Sequence, residues 1–172
     1  MPVKASKKLN RIFDTCSADT LPPKTTHLIT LAAQLARCDA SQARESLSLA
    51  REAGASFEEI RCAACHSACT SGLTSQSAFV SLLGETAGRE PFARVQAQAL
   101  DAKTDHLVAL AACLASGCDC AAGHIVEARR AGVSEEELAR AACIASCVTG
   151  RVSHWRFGAA LQCAEGKKAC VC

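Results

Sequence analysis

The chain is poor in aromatic residues: Phe, Trp and Tyr make up 3% of its 172 residues, with one Trp and no Tyr. That leaves little for base-stacking platforms, so nucleic acid is not expected as a partner. Neither sign of charge dominates. There are 19 Lys and Arg against 17 Asp and Glu, and the formal net charge is +2. Such a balance gives no footprint for a polyanion or an anionic membrane surface. No apolar stretch approaches the ~18 residues that read as a membrane span. Met1 to Thr20 is polar and basic, without an apolar run of signal-peptide length. The expectation is a cytoplasmic protein, where thiols stay reduced. β-branched residues are few, and Ala and Leu dominate, which favours helix over strand.

Cysteine, by contrast, is abundant. There are 13, an odd number, in a chain expected in a reducing compartment. A structural disulfide framework is therefore not expected. At 49% apolar residues the chain has material for a proper core. Its length fits one domain, or two small units packed as one.

Residues 1–20 read as a flexible lead-in, with a short turn of helix around Leu9–Phe13. Leu21-Pro22-Pro23 marks a boundary, because Pro disfavours helix in the residue before it. Beyond it Leu28, Leu31, Ala32 and Leu35 fall at i, i+3, i+4 and i+7. A second helical pattern runs from about Ser41 to Ala53 and stops at Gly54. Ser56 and Glu59 then form a capping box for a third helix, ending near Gly72. A short helix over Ser75 to Leu83 closes this half.

The pattern then returns. Lys24-Thr25-Thr26-His27-Leu28 reappears as Lys103-Thr104-Asp105-His106-Leu107. Gly54, Ser56, Glu59, Cys65, Cys69 and Gly72 reappear in the same order as Gly132, Ser134, Glu137, Cys143, Cys147 and Gly150. The offset between partners stays the same to within one position along the whole series. Ordered matches at such a steady offset indicate two copies of one helical unit. The expectation is an all-α protein of about ten helices. Its repeats cover 21–88 and 97–166, related by a pseudo-twofold axis, and 167–172 form a tail. Each unit alone would be marginal, so the two should share a core.

The repeat is an internal control. Cys65/Cys69 and Cys143/Cys147 recur at i, i+4 spacing, which predicts core packing. His27 and His106 also recur. One group does not: Gly117-Cys118-Asp119-Cys120-Ala121-Ala122-Gly123-His124. If the chain is helical after Asp119, Cys120 and His124 are one turn apart on one face. A thiol near a helix N-terminus is favoured as thiolate, and an imidazole can exchange a proton with it. Thiolate, proton relay and second sulfur are the parts of a thiol redox site.

These residues carry a resemblance. Asp101 to Leu110, then Gly117-Cys118-Asp119-Cys120, His124, Gly132 and Ser134 to Leu138, resemble the carboxymuconolactone decarboxylase superfamily, in its alkylhydroperoxidase D-like (AhpD-like) branch. The resemblance implies an all-α fold and a homo-oligomer, with a trimer favoured for a two-repeat chain. It implies a peroxidase or disulfide oxidoreductase acting on a small-molecule peroxide or disulfide, with a thiol/disulfide partner protein as electron donor and no cofactor. By position it makes Cys120 the peroxide-reactive thiol, Cys118 the resolving thiol and His124 the proton relay.

Two departures stand out. His106 occupies the place of the family's Glu, ahead of Cys118, and an imidazole brings no carboxylate charge. The motif is Cys-x-Cys where the family has Cys-x-x-Cys. A Cys118–Cys120 bond then requires Cys118 outside regular helix, with Gly117 taking up the bend. If strain forbids it, Cys113 or a tail cysteine would capture the sulfenic acid.

Other readings stay open. Cys62-Ala63-Ala64-Cys65-His66 matches the c-type haem attachment spacing, although its counterpart, Arg140 to Ile144, lacks it. Cys118, Cys120, His124, Cys170 and Cys172 could form a soft metal site. A carboxymuconolactone decarboxylase-type acid/base enzyme without thiol chemistry is a further alternative.

Overall fold

A computed structural model describes residues 17–72, 78–80, 82, 99–150 and 152–166. Among these residues there is no strand. A 3₁₀ turn (Ala18–Thr20) precedes α1 (Pro23–Ala36), α2 (Ala40–Glu52) and α3 (Phe57–Ser71). After Leu100 come α4 (Ala102–Ser116), α5 (Ala121–Arg130), α6 (Glu135–Thr149) and α7 (Val152–Ala164). The all-α expectation holds. The expected turn at Leu9–Phe13 lies outside the described residues. Of the helix expected over Ser75 to Leu83, Ala78–Val80 and Leu82 are described, and they are helical.

Local chemistry explains the boundaries. Pro23 opens α1 at its first position, where a missing N–H costs nothing. Asp101 caps α4 by accepting from the Thr104 N–H at 3.1 Å. Both expected capping boxes are present. Ser56 Oγ accepts from the Glu59 N–H at 3.2 Å, and Glu59 accepts from the Ser56 N–H at 2.7 Å. Ser134 and Glu137 do the same at 3.1 and 2.6 Å. Identical caps at matching places in the two copies tie the sequence repeat to repeated local structure.

The centre is α1 packed on α4, with α3 and α6 alongside. Every residue from Leu107 through Ala115 is buried. A helix apolar on every side can only be an interior helix. Ala109, Ala111, Ala112 and Ala115 keep it thin, so neighbours approach closely. Ser67 uses that closeness: buried on α3, it donates across to the Ala32 carbonyl of α1 at 2.8 Å. Further along, Ser71 donates to the Ala36 carbonyl, also at 2.8 Å. Each such bond satisfies a hydroxyl that burial would otherwise penalise.

The recurring cysteine pairs do not pack in the core as expected. Cys65 and Cys143 are half-buried, and Cys69 and Cys147 are exposed. The core-facing positions of α3 and α6 are held instead by Ala63, Ala64, Ala141, Ala142 and Ala145. Alanine fits the narrow gap to the central helices, and the larger thiols are turned towards the rim.

The end of α4 is held from outside. Gly117 is left-handed, with φ +85°, and a Cβ there would lie 2.5 Å from the Arg156 guanidinium. Arg156 Nη1 donates to the Leu114 carbonyl at 3.1 Å, so α7 caps α4. Gly54, with φ +83°, has open space around its missing Cβ. Gly54→Ala should therefore cost only the left-handed strain, about 1 kcal/mol. Gly117→Ala should cost about 2 kcal/mol, since Arg156 must also give up a hydrogen bond worth roughly 1 kcal/mol. Urea unfolding of both variants, and of Gly117→Ala in an Arg156→Ala background, checks this. In that background the excess over Gly54→Ala should vanish.

Candidate functional site

The chain leaves α4 through Gly117 and passes Cys118 and Asp119 before α5. Cys118 lies outside regular helix, as the short Cys-x-Cys spacing requires. Cys120 is the N-cap of α5, one position earlier than a first-turn residue. The His124 N–H donates to the Cys120 carbonyl at 3.3 Å, closing the first turn. The two side chains are thus one turn apart, as expected. Cys120 and Asp119 are exposed, and Cys118 is half-buried.

Helix α2 shows what the N-cap position can hold. There Asp39 is the N-cap, and its carboxylate accepts from the Gln42 N–H at 3.2 Å. In one copy a fixed anion sits on the helix N-terminus. In the other Cys120 opens the helix with helical backbone (φ −66°, ψ −10°) and no side-chain capping bond, so its thiol is reached by the field of the helix N-terminus alone.

His124 does not stand alone. Its ring centre lies 5.9 Å from that of His106 on α4 and 6.4 Å from that of His66 on α3. His66 Nε2 lies 2.7 Å from Asp105 Oδ1. Three imidazoles and one carboxylate therefore meet where the first turn of α4 emerges from the core. His106 is in the group as expected. His66 is the residue that sequence reasoning misses, since it stands out there only as the end of the haem-like string. A signal exists all the same: the second copy lacks this histidine and has Ile144 in its place. Asp105 escapes the sequence reading because neighbours on a helix face different ways. They do: Asp105 meets α3 while His106 meets His124, and three helices close the circle.

The electrostatics follow from burial. For Asp105 burial pushes the carboxyl up. The His66 hydrogen bond, with the charges of His66, His106 and His124 when protonated, outweighs it and holds the group below its ordinary 3.8. Asp105 is thus an ionised acceptor at neutral pH, and His66 Nε2–H is the donor. His124 is pushed below its ordinary 6.5, first by burial and then by His66 and His106, against the attraction of Asp105. It is a neutral base at pH 7. His106 Nδ1 is buried with no hydrogen-bond partner among the described residues.

Several other thiols nearby are held as thiols. Burial raises Cys65 to about 11, with Cys69 and Cys62 adding to it. Burial also raises Cys62, helped by the Asp105 charge. Cys113 is pushed far up, by burial first and then by its neighbour Cys118. Among the described residues no group of His, Cys, Asp and Glu is spaced to hold a metal ion. The soft-metal reading also needs Cys170 and Cys172, which lie outside those residues.

The sequence pattern of the carboxymuconolactone decarboxylase family matches residues 6–85, and matches again over 88–164. The chain belongs to that family. It carries two tandem copies of the family unit, and the chemistry-bearing residues come from both. No curated protein matches the chain. Among the described residues no helix is long and apolar enough to cross a membrane.

The site sets a pH dependence. A histidine with a depressed folded value binds its proton more weakly in the native state than in the unfolded chain. Stability is therefore full above 6.5 and falls as pH drops from there towards the folded value. Asp105 acts lower, its contribution being lost only as pH falls below 3.8. Urea midpoints should drop between pH 7.5 and pH 5.5, and His124→Ala should flatten that slope. In His66→Ala, carboxyl NMR should find Asp105 titrating at higher pH than in the parent.

Proposed function

We propose that this protein is an AhpD-like thiol oxidoreductase, reducing peroxides or small disulfides at Cys120. The observation that carries it is the pairing of a cysteine at a helix N-cap with a neutral histidine one turn on. His124 accepts the Cys120 proton, and the Asp105 charge steadies the imidazolium. The thiolate attacks the terminal peroxide oxygen. The O–O bond breaks, Cys120 becomes a sulfenic acid, and the alkoxide leaves with the proton held on His124. A second thiol then displaces water from the sulfenic acid, giving a disulfide. An external dithiol, on a partner protein, returns the site to the reduced state. His106 stands beside His124, and through it the relay can reach solvent.

A positioned proton relay contributes on the order of 100-fold or more. His124→Ala should slow oxidation of Cys120 by that order, while Cys118→Ala should leave the first step intact and let over-oxidised Cys120 accumulate. Iodoacetamide labelling from pH 5 to 9, read peptide by peptide, gives the independent check. If Cys120 alkylates no faster at pH 6 than Cys147, an exposed thiol on α6, the thiol reading fails.

One observation favours a second reading. The buried, unpartnered His106 Nδ1 beside two more imidazoles and a carboxylate suits acid/base work on a carbon acid. Such an enzyme would keep its activity after full thiol alkylation, which a thiol oxidoreductase would not. In either case we expect a homo-oligomer, a trimer foremost. Phe57 and Trp155, large apolar side chains left exposed, are material for a subunit interface. Light scattering that finds a monomer at tens of micromolar would count against assembly.

A further inference from the structure

We propose that the disulfide in which this site comes to rest joins Cys113 to Cys118, not Cys118 to Cys120. The inference deepens the thiol reading above and rests on it for the source of oxidising equivalents.

The geometry comes from how α4 ends. Gly117 takes the left-handed conformation after the last helical turn. The Cys118 N–H then reaches back to the Cys113 carbonyl at 3.0 Å, and the Gly117 N–H reaches the same oxygen at 2.8 Å. This is a Schellman-type stop, whose six-to-one bond brings the side chains of its first and last residues together. Here both are cysteines, one at each end of the six-to-one bond. The turn is pinned from outside by Arg156, through the Leu114 carbonyl and over the face of Gly117. The backbone bonds thus bring the two side chains to the same end of the helix, with no need for it to open.

The first copy shows that the turn does not require these thiols. There Cys38 takes the left-handed position, φ +59°. The Asp39 N–H reaches back to the Gln34 carbonyl at 3.0 Å. Gln34 and Asp39 thus fill, in the first copy, the positions that Cys113 and Cys118 fill in the second. The same stop forms with no sulfur at either contact position, so the thiol pair is an addition to the fold.

The chemistry is an exchange. The sulfenic acid on exposed Cys120 first condenses with Cys118, releasing water and closing a small, strained Cys-x-Cys ring. The Cys113 thiol then gives up its proton and attacks Cys118 Sγ. The new bond joins Cys113 to Cys118, the Cys118–Cys120 bond breaks, and Cys120 leaves as a thiolate that takes the proton. Two effects drive the exchange forward. It relieves ring strain. It also places the bond on a thiol that burial makes a poor leaving group. Cys113 is only 1% exposed, so the stored disulfide must be reopened through half-buried Cys118.

Asp119 makes the bond readable. A protease that cleaves before aspartate separates residues 105–118, with both thiols of the pair, from the segment that begins at Asp119 and carries Cys120. Reduced protein is treated with one equivalent of hydrogen peroxide, or separately with diamide, which oxidises thiols without peroxidase chemistry. It is then unfolded and alkylated. The expected product is peptide 105–118, lighter by two hydrogens and unlabelled, with Cys120 carrying label. In Cys113→Ala that product should be lost and replaced by a cross-link between the two peptides. A cross-link through Cys118 and Cys120 in the parent protein, with Cys113 labelled, overturns the proposal. If peroxide oxidises none of these thiols while diamide closes the 105–118 bond, the pair stands and the peroxide reading falls.

Discussion

Everything in this molecule hangs on two thin helices lying against one another. α1 and α4 are the first helices of the two copies, and each is the other's main source of dry surface. Leu28, Leu31 and Leu35 on one, and Leu107, Leu110 and Leu114 on the other, are almost wholly excluded from water. Truncating any of them to Ala would cost about 2–5 kcal/mol, against a total stability of only about 5–15 kcal/mol. The alanines between them matter as much. They let α3 come close enough for Ser67 and Ser71 to bond to the α1 backbone. The same closeness carries His66, the neighbour of Ser67, up to the N-terminal end of α4.

Much of this is legible in the sequence, for definite reasons. Capping boxes, a proline at N1 and glycine stops are local devices, and local devices repeat with the chain. That is why Ser56–Glu59 and Ser134–Glu137 can be matched from the sequence alone. The one-turn relation of Cys120 and His124 is also local. The haem-like string shows the opposite case. Its histidine has meaning only through Asp105, which lies in the other copy, and helical periodicity says nothing about which helix crosses which. The cysteine pairs mislead for a related reason. Repetition says that two positions are equivalent, not that they are buried. The rim of α3 and the rim of α6 are equivalent too.

Comparing the copies divides the labour between them. At the α4 stop, Cys113 and Cys118 stand where the first copy has Gln34 and Asp39. Asp39 also caps α2 with its carboxylate, whereas in the second copy the next helix opens two residues past the stop, at Cys120, which makes no side-chain capping bond. In the first copy the one residue Asp39 thus serves both the stop and the cap. The second puts sulfur at both ends of the stop and keeps its six-to-one backbone bond. A site can be added this way with little loss of stability, because backbone hydrogen bonds specify the turn whatever the side chains are. Yet the first copy is no bystander, since His66 belongs to it.

That contribution has a physical cause in the displaced carboxylate. The family resemblance implies a Glu at the position of His106. Here the acid comes one position earlier, at Asp105. A step of one position turns a side chain by about 100° around the helix axis, so the carboxylate is swung from α5 towards α3. Left there alone it would be a half-buried charge with no donor, a costly arrangement. His66 supplies the donor at 2.7 Å, and the Asp105 charge still reaches His124, against the opposing effect of His66 and His106. The His66 bond keeps Asp105 ionised, and His106 stands at the position where the resemblance implies a glutamate. The residue that sequence reasoning misses is thus the one that lets the displaced acid stay charged at a half-buried position.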